Sequence, residues 1–317
     1  METPVLAIII PCRNEEENIE YLVKRLSDVF NNLIKDNQIS DKSFILCIDD
    51  GSDDNTWNLI VKSTKDTSVK VKGIKFSRNF GNQKAILAGL LESLQYNPDC
   101  IISIDADLQQ DENKIGEFIE KYKNGAKIVF GIRNDRKTDG FFKKTTALAF
   151  YKLMNLLGVK LKVNHSDYRL VSSEAAKILK NFPETNIFLR GIFNELGLKK
   201  DYVYFDVKER YAGKTKFNLF SLMSLAVSGI TSFSILPLRF VSFLGFFMSI
   251  ISFIVGVSAV IDKIRGISVS GWATIVAVLC FIGGVQILCI GIIGEYIGQL
   301  FQEVKSRPRY IIEEKTD

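Results

Sequence analysis

Asp105 and Asp107 stand two residues apart directly after the apolar run Ile101–Ile104, and Gln109 follows two residues later. Carboxylates at this spacing past a buried strand, with a side-chain amide beside them, are hard oxygen donors suited to Mg²⁺ or Mn²⁺ shared with a substrate's phosphates. Two acids in a turn are also common as plain solvated loop residues. Two more polar clusters follow apolar runs: Pro11-Cys12-Arg13-Asn14-Glu15 after Val5–Ile10, and Asp49-Asp50-Gly51-Ser52 after Phe44–Ile48. Asp49 and Asp50 serve equally well as caps for a helix starting near Thr56. Farther on come the cations Arg133, Arg169, Arg190, Arg210, Lys214 and Lys216, able to hold phosphate groups, or simply to form a solvated basic face. The single histidine, His165, reads as an incidental loop residue. Neither Gly-x-Gly-x-x-Gly nor Gly-x-x-x-x-Gly-Lys-Ser/Thr occurs, so the dinucleotide and P-loop readings lose their main support.

The elements that must position these residues follow from the hydrophobic pattern. The runs at 5–10, 44–48, 101–104 and 128–132 are short, apolar and β-branched, and each ends in polar loop residues. Helix-like segments follow at Glu16–Asn31, Thr56–Lys65, Gln83–Leu94 and Asn113–Lys123. Continuous apolar strands alternating with helices predict a mainly parallel sheet covered on both faces. Ligands of such sheets sit beyond the carboxyl ends of the strands, where all three polar clusters fall.

The ordered set of segments resembles glycosyltransferase family 2, and above all its polyprenyl-phosphate glycosyltransferases, over essentially the whole chain. The resemblance rests on Ile8–Ile19, Asp49–Thr56, Ser77-Arg78-Asn79-Phe80-Gly81-Asn82-Gln83 and Asp105–Gln109. Asp167-Tyr168-Arg169-Leu170, Phe188-Leu189-Arg190-Gly191, Ala212–Phe217, Gly229–Ser234 and Pro237-Leu238-Arg239 continue it. The pair Cys12-Arg13 departs from it, since relatives usually carry a small residue and Tyr there, and so does Asn113, where Pro-Glu is frequent.

The resemblance implies a GT-A fold, an α/β Rossmann-like domain with a mainly parallel sheet, and a nucleotide-diphospho-sugar donor, UDP-glucose by overall likeness. It places Pro11, Arg13, Glu15, Asp50, Ala106 and Asp107 at the nucleotide sugar, and Asp105, Asp107 and Gln109 at a Mg²⁺ or Mn²⁺ ion. It assigns Asp167, Arg133, Arg169 and Lys216 to catalysis and leaves Arg190, Arg210 and Lys214 as candidates for an acceptor phosphate. Asp167 is either a base or a group that orients Arg169 or the acceptor. The implied partners are the donor, a polyprenyl phosphate and membrane lipids, with no nucleic acid. Attack by a lipid phosphate that is already ionised implies inversion at the sugar. A different donor (GDP-mannose, UDP-GlcNAc, a UDP-aminopentose), another lipid acceptor, and a non-catalytic scaffold of a glycolipid pathway are the competing readings. The Gln-x-x-Arg-Trp motif of processive relatives is absent.

Charge divides the 317 residues into two materials: 64 Asp, Glu, Lys and Arg fall in residues 1–216, five in 217–298 and eight in the last 19. Phe240–Ile261 and Gly266–Gly294 carry no charge, and each is long enough as a helix to cross a hydrocarbon core about 30 Å thick. The expected organisation is a catalytic domain at 1–216, interfacial amphipathic helices at 217–236, two spans within 237–298 (about 238–261 and 268–294) and a cytoplasmic tail at 299–317. Lys214, Lys216, Arg239, Lys305, Arg307 and Arg309 flank the spans against Lys263 and Arg265 between them, which predicts both termini on the cytoplasmic side of a bacterial inner membrane. The start Met-Glu-Thr-Pro has no signal-peptide pattern, and five scattered cysteines fit reduced thiols. Gly283-Gly284, Gly291 and Gly294 make one face of the second span small, suited to helix packing and a homo-oligomer.

Overall fold

The structure, a computed structural model, describes residues 3–134, 165–185, 187–208, 235–266 and 271–316. It forms two units: one holds the described residues up to 208 and takes the chain up again from Arg307, and the other holds 235–266 and 271–306.

The first unit is built on an eight-stranded sheet in the order β7-β5-β6-β4-β1-β2-β3-β8. Its strands are β1 (Leu6–Cys12), β2 (Phe44–Asp49), β3 (Lys70–Phe76), β4 (Cys100–Ser103), β5 (Ile128–Arg133), β6 (His165–Ser172), β7 (Lys200–Phe205) and β8 (Ile312–Lys315). β1 pairs in parallel with β2 and β4, β2 with β3, and β5 with β7; β6 runs antiparallel between β4 and β5, and β8 antiparallel along β3. The central strands read as unbroken apolar runs because helices cover both faces. Leu6, Ile8 and Ile10 pack with Leu22, Leu26 and Phe30 of α1 (Ile19–Lys35) and with Phe118 of α4 (Ile115–Lys123). On the other face α3 (Asn82–Ser93) lies close enough that a Cβ on Gly89 would meet Ile48 Cδ1 at 2.8 Å and Ile9 at 3.0 Å. Each of these fully buried large side chains contributes about 1.5–3 kcal/mol of burial. α2 (Thr56–Asp66), α5 (Ser173–Ile178) and α6 (Leu189–Glu195) complete the unit.

Two expectations are corrected here. β1 does not stop at Ile10 but runs through Pro11 to Cys12. β4 leaves β1 after Ile9, so the missing donor of Pro11 falls where β1 has only β2 beside it. His165 lies at the start of a strand rather than in a loop. Within the expected tail at 299–317, β8 closes the sheet edge at β3.

The second unit contains α7 (Leu236–Ile264) and α8 (Trp272–Val304), of 29 and 33 residues. Both are long and apolar enough to cross a membrane, with mean hydropathy 2.4 over Leu236–Asp262 and 1.7 over Phe281–Val304. α8 continues ten residues past the expected end of the span at 294, because Glu295, Gln299 and Glu303 are spaced one helical turn apart and sustain a polar stripe. The expected interfacial helices, apart from Ile235 and Leu236, lie outside the described residues, as do Arg210, Lys214 and Lys216.

Candidate active site

The loops after β1 and β2 are laced together by hydrogen bonds. The Asn14 and Glu15 amides donate to Ser52 Oγ and Thr56 Oγ1, both at 2.9 Å. Asp53 N–H returns to Asn14 Oδ1 at 2.9 Å, and Asn55 N–H to Glu16 Oε2 at 3.1 Å. Asn14 adopts φ 51°, a conformation that Asn tolerates better than most residues. Pro11 and Glu15 are half-buried on this rim, Glu15 accepts from Asn18 Nδ2 at 2.7 Å, and Arg13 pairs with Asp53 at 3.8 Å. Asp50 reaches to a third loop: its two carboxylate oxygens accept from Phe80 N–H at 2.7 Å and Gly81 N–H at 2.9 Å. Burial pushes its pKa up, with these amides and Arg13 opposing. Each Asp50 oxygen keeps a second lone pair for another donor. Gly51 has φ 64°, and a Cβ there would stand 2.4 Å from the backbone carbon of Arg78, so the two loops touch backbone to backbone.

Past β4, Asp105 is fixed at both ends by one side chain. Its N–H donates to Gln110 Oε1 at 3.0 Å, while Gln110 Nε2 donates to its carboxylate at 2.5 Å and to Ser166 Oγ at 3.3 Å. Ala106 is buried, Leu108 takes φ 59°, and Asp107 Oδ1 accepts from Gln109 N–H at 3.2 Å. The Asp105 carboxyl is pushed up to about 7 by burial and then by the neighbouring charges of Asp167 and Asp107, against Arg133 and Arg190. No group of three or more His, Cys, Asp and Glu side chains able to hold a metal occurs among the described residues. The two half-buried carboxylates Asp105 and Asp107 nevertheless fit a Mg²⁺ or Mn²⁺ ion that takes its remaining ligands from phosphates and water. Gln109 is anchored through its backbone, with its carbonyl accepting from Lys208 N–H at 3.0 Å.

Asp167, on β6, forms the charged centre. Arg169 Nη2 bonds to one carboxylate oxygen, and Arg190 approaches both, Nε to Oδ1 at 3.1 Å and Nη2 to Oδ2 at 2.9 Å. Gln83 Nε2 lies 3.5 Å from Oδ2, and Gln83 Oε1 accepts from Leu189 N–H at 3.3 Å. Burial opposes ionisation of Asp167, but Arg190 and Arg169 outweigh it and hold the carboxyl far below its ordinary range. Arg169, only 1% exposed, is lowered to about 10 by burial against the pull of Asp167. Its Nε and Nη1, and Nε of Arg133 at the end of β5, have no hydrogen-bond partner among the described residues. Asp105, Asp167, Arg133, Arg169 and Arg190 thus share one electrostatic neighbourhood. The start of α3 joins it to the loops after β1 and β2, since Gly81 N–H serves Asp50 and Gln83 serves Asp167.

The model of glycosyl transferase family 2 matches residues 7–179, more than half of the chain, and that of the GtrB C-terminal hairpin matches residues 236–300. The chain belongs to glycosyltransferase family 2. It is 49% identical to the glycosyltransferase YkoT of Bacillus subtilis (strain 168) over 98% of this chain and 91% of that one. It is 40% identical to the bactoprenol glucosyl transferase of Shigella phage SfX, covering 98% of this chain and 99% of the relative. The prophage bactoprenol glucosyl transferase homolog of Escherichia coli (strain K12) is 39% identical over 97% and 98%.

As a family 2 glycosyltransferase with a GT-A fold, the chain carries four residues in the candidate site that sequence reasoning left without a role. Gln110 is the amide that engages Asp105, one residue beyond the expected Gln109. Gln83 and the Phe80–Gly81 amides tie the two halves of the site together. The available signal was their place in the segments of resemblance, Ser77–Gln83 and the residues just after Asp105–Gln109.

Proposed function

We propose that this glycosyltransferase moves a sugar from a nucleotide-diphospho-sugar, UDP-glucose in the first place, to a polyprenyl phosphate at the cytoplasmic face of a bacterial inner membrane, with inversion at the anomeric carbon. The observation that carries the reading is the near-full-length identity to bactoprenol glucosyl transferases, hairpin included. The geometry around Asp167 and Asp105 supports it chemically.

The loops of Pro11, Arg13, Glu15 and Asp50 receive the nucleotide, with Ala106 and Asp107 beneath the sugar diphosphate. A divalent ion, Mg²⁺ or Mn²⁺, held by Asp105 and Asp107, supplies charge neutralisation on the diphosphate leaving group. An acceptor phosphate is ionised at neutral pH and needs no base; one of its oxygens bonds to the anomeric carbon as the bond to the diphosphate oxygen breaks. Asp167 is too weak a base to take a proton while two guanidinium groups hold its pKa so low, and its role is to orient Arg190 and Arg169. Arg190 and Arg133 face the phosphates, and Arg210, Lys214 and Lys216 are the further candidates on that side.

Topology supports the orientation. The two apolar helices are inserted between pieces of one unit, and two crossings return a chain to the side it left. The excess of Lys and Arg flanking the helices puts that side in the cytoplasm.

Full-length protein incubated with undecaprenyl phosphate, Mg²⁺ or Mn²⁺ and a panel of radiolabelled nucleotide sugars is expected to give lipid-extractable label from UDP-glucose, lost on chelation and in Asp107→Ala. Label from GDP-mannose, UDP-GlcNAc or a UDP-aminopentose instead reassigns the donor. No label from any donor with folded protein sinks the reading.

A further inference from the structure

The segment after α8 does more than close a sheet edge. In β8, Ile74 pairs with Lys315, Lys75 with Glu314 and Phe76 with Ile312, and Ser77 N–H donates to Ile311 O at 3.1 Å. Side chains add anchors that an edge strand does not require. Gly73 N–H donates to Thr316 Oγ1 at 2.7 Å, and Trp57 Nε1 to Glu314 at 3.0 Å. Tyr310 O–H and Lys315 Nζ both bond to Glu92 of α3, at 3.2 Å and 2.7 Å, and Arg309 donates to Phe182 O at 2.8 Å.

The Tyr310 ring stacks on Phe76, centroids 5.3 Å apart and planes 13° apart. Phe76 in turn meets Phe80 edge-on at 5.7 Å. Phe80 belongs to the loop between β3 and α3 whose amides Asp50 holds, and Arg78 lies over its ring at 4.1 Å. Tyr310 therefore grips both elements that flank this loop, β3 through Phe76 and α3 through Glu92. On its other side the loop is pressed against the backbone at Gly51.

We infer that Arg309–Thr316, the segment following the second apolar helix, is a positioning element for the nucleotide end of the site, acting through Tyr310, Phe76 and Phe80 on the loop 77–81. The inference rests on the reading of Asp50 as a nucleotide contact. The aromatic chain transmits packing rather than charge, so ring stacking matters and the Tyr310 hydroxyl is secondary.

Hydrogen exchange of full-length protein, read by mass spectrometry, and steady-state transfer from UDP-glucose to undecaprenyl phosphate test it together. Tyr310→Ala is expected to speed exchange at residues 77–81 at least tenfold and to raise the KM for UDP-glucose at least fivefold. The kcat and the KM for undecaprenyl phosphate should stay within about twofold, and Tyr310→Phe should behave as the unaltered protein. Unchanged exchange at 77–81, or an unchanged donor KM beside a lowered melting temperature, would overturn the inference and leave an edge cap. If Tyr310→Ala does not fold, Thr316→Val, which removes one hydrogen bond, is judged by the same two readouts. Absence of transfer by the unaltered protein with every donor defeats the glycosyl-transfer reading alone; the exchange result then still supports or overturns the coupling.

Discussion

Two guanidinium groups converge on one buried carboxylate at Asp167, and this sets both the chemistry and the cost of changing it. Asp167→Asn keeps the shape and removes the charge, leaving Arg169 buried without its counterion. Losing one partner of a buried ion pair costs about 3–5 kcal/mol. The folded-state pKa lies below the unfolded value of about 3.9, so this contribution is complete above that pH and fades only as pH falls toward the folded value. Asp167→Asn should therefore melt lower than the unaltered protein at every pH from about 5 to 8, and not only near neutrality. Its kcat should fall at least a hundredfold, as expected when a positioning group for phosphate-binding cations is lost, while nucleotide binding changes little because Asp50 and its loops are untouched. Melting curves across pH and steady-state kinetics check this, and a pH-independent melting temperature equal to that of the unaltered protein would contradict it. At this scale the sequence exposed the types and order of the candidate residues that the structure brings together, Asp105, Asp167 and Arg190 among them. It did not expose which amide meets Asp105, because Gln109 and Gln110 are adjacent and only the loop geometry around Leu108 separates them.

Elements were legible in proportion to how far function left their pattern alone. β1, β2, β4 and β5 are apolar runs with both faces covered, and α1 to α4 follow the loops as expected. β3 was hidden by Lys70, Lys72 and Lys75; Lys72 is buried along its stem with the ammonium 4.4 Å from the Tyr96 ring centre. β6 was hidden by its own chemistry, since Asp167 and Arg169 interrupt what is otherwise a core strand. β8, Ile-Glu-Glu-Lys, carries no hydrophobic period and takes its place through the free edge of β3. The contact between the loops after β2 and β3 is a property of backbone, and Gly51 is where it is most exposed to change. Gly51→Ala adds the left-handed cost of about 1–2 kcal/mol, and its Cβ meets the Arg78 backbone, which cannot rotate aside. The expected outcome is a donor KM raised at least tenfold with a fall in melting temperature of a few degrees, measured against Gly81→Ala, where a Cβ meets nothing within 4 Å although φ is 98°. A larger effect at Gly81 than at Gly51 would show that backbone strain alone, and not loop contact, governs the site.

For the whole molecule, chain connectivity constrains topology more tightly than charge counting does. The described residues up to 208 and those from Arg307 onward belong to one unit, and β8 is hydrogen-bonded into the same sheet as β3. Any path that takes α7 and α8 through a bilayer must therefore bring residue 307 back to the side on which residue 208 lies. Arg265, which follows α7, must then lie on the opposite side. The Lys and Arg bias points the same way, but charge bias alone is a preference that added charges are known to reverse. This yields a prediction in which the two arguments separate. Fusing alkaline phosphatase after Arg265 should give periplasmic activity, and a fluorescent protein fused after Asp317 should fluoresce in the cytoplasm. Reversing the bias by Arg239→Gln, Lys305→Gln and Arg307→Gln together with Asp262→Lys and Ser268→Lys leaves Lys214, Lys216 and Arg309 against four cations between the helices. This should still leave the C-terminal reporter in the cytoplasm, because the sheet, not the charge, fixes the end of α8. A periplasmic C-terminus in that variant would mean that β8 forms only after insertion has been decided by charge.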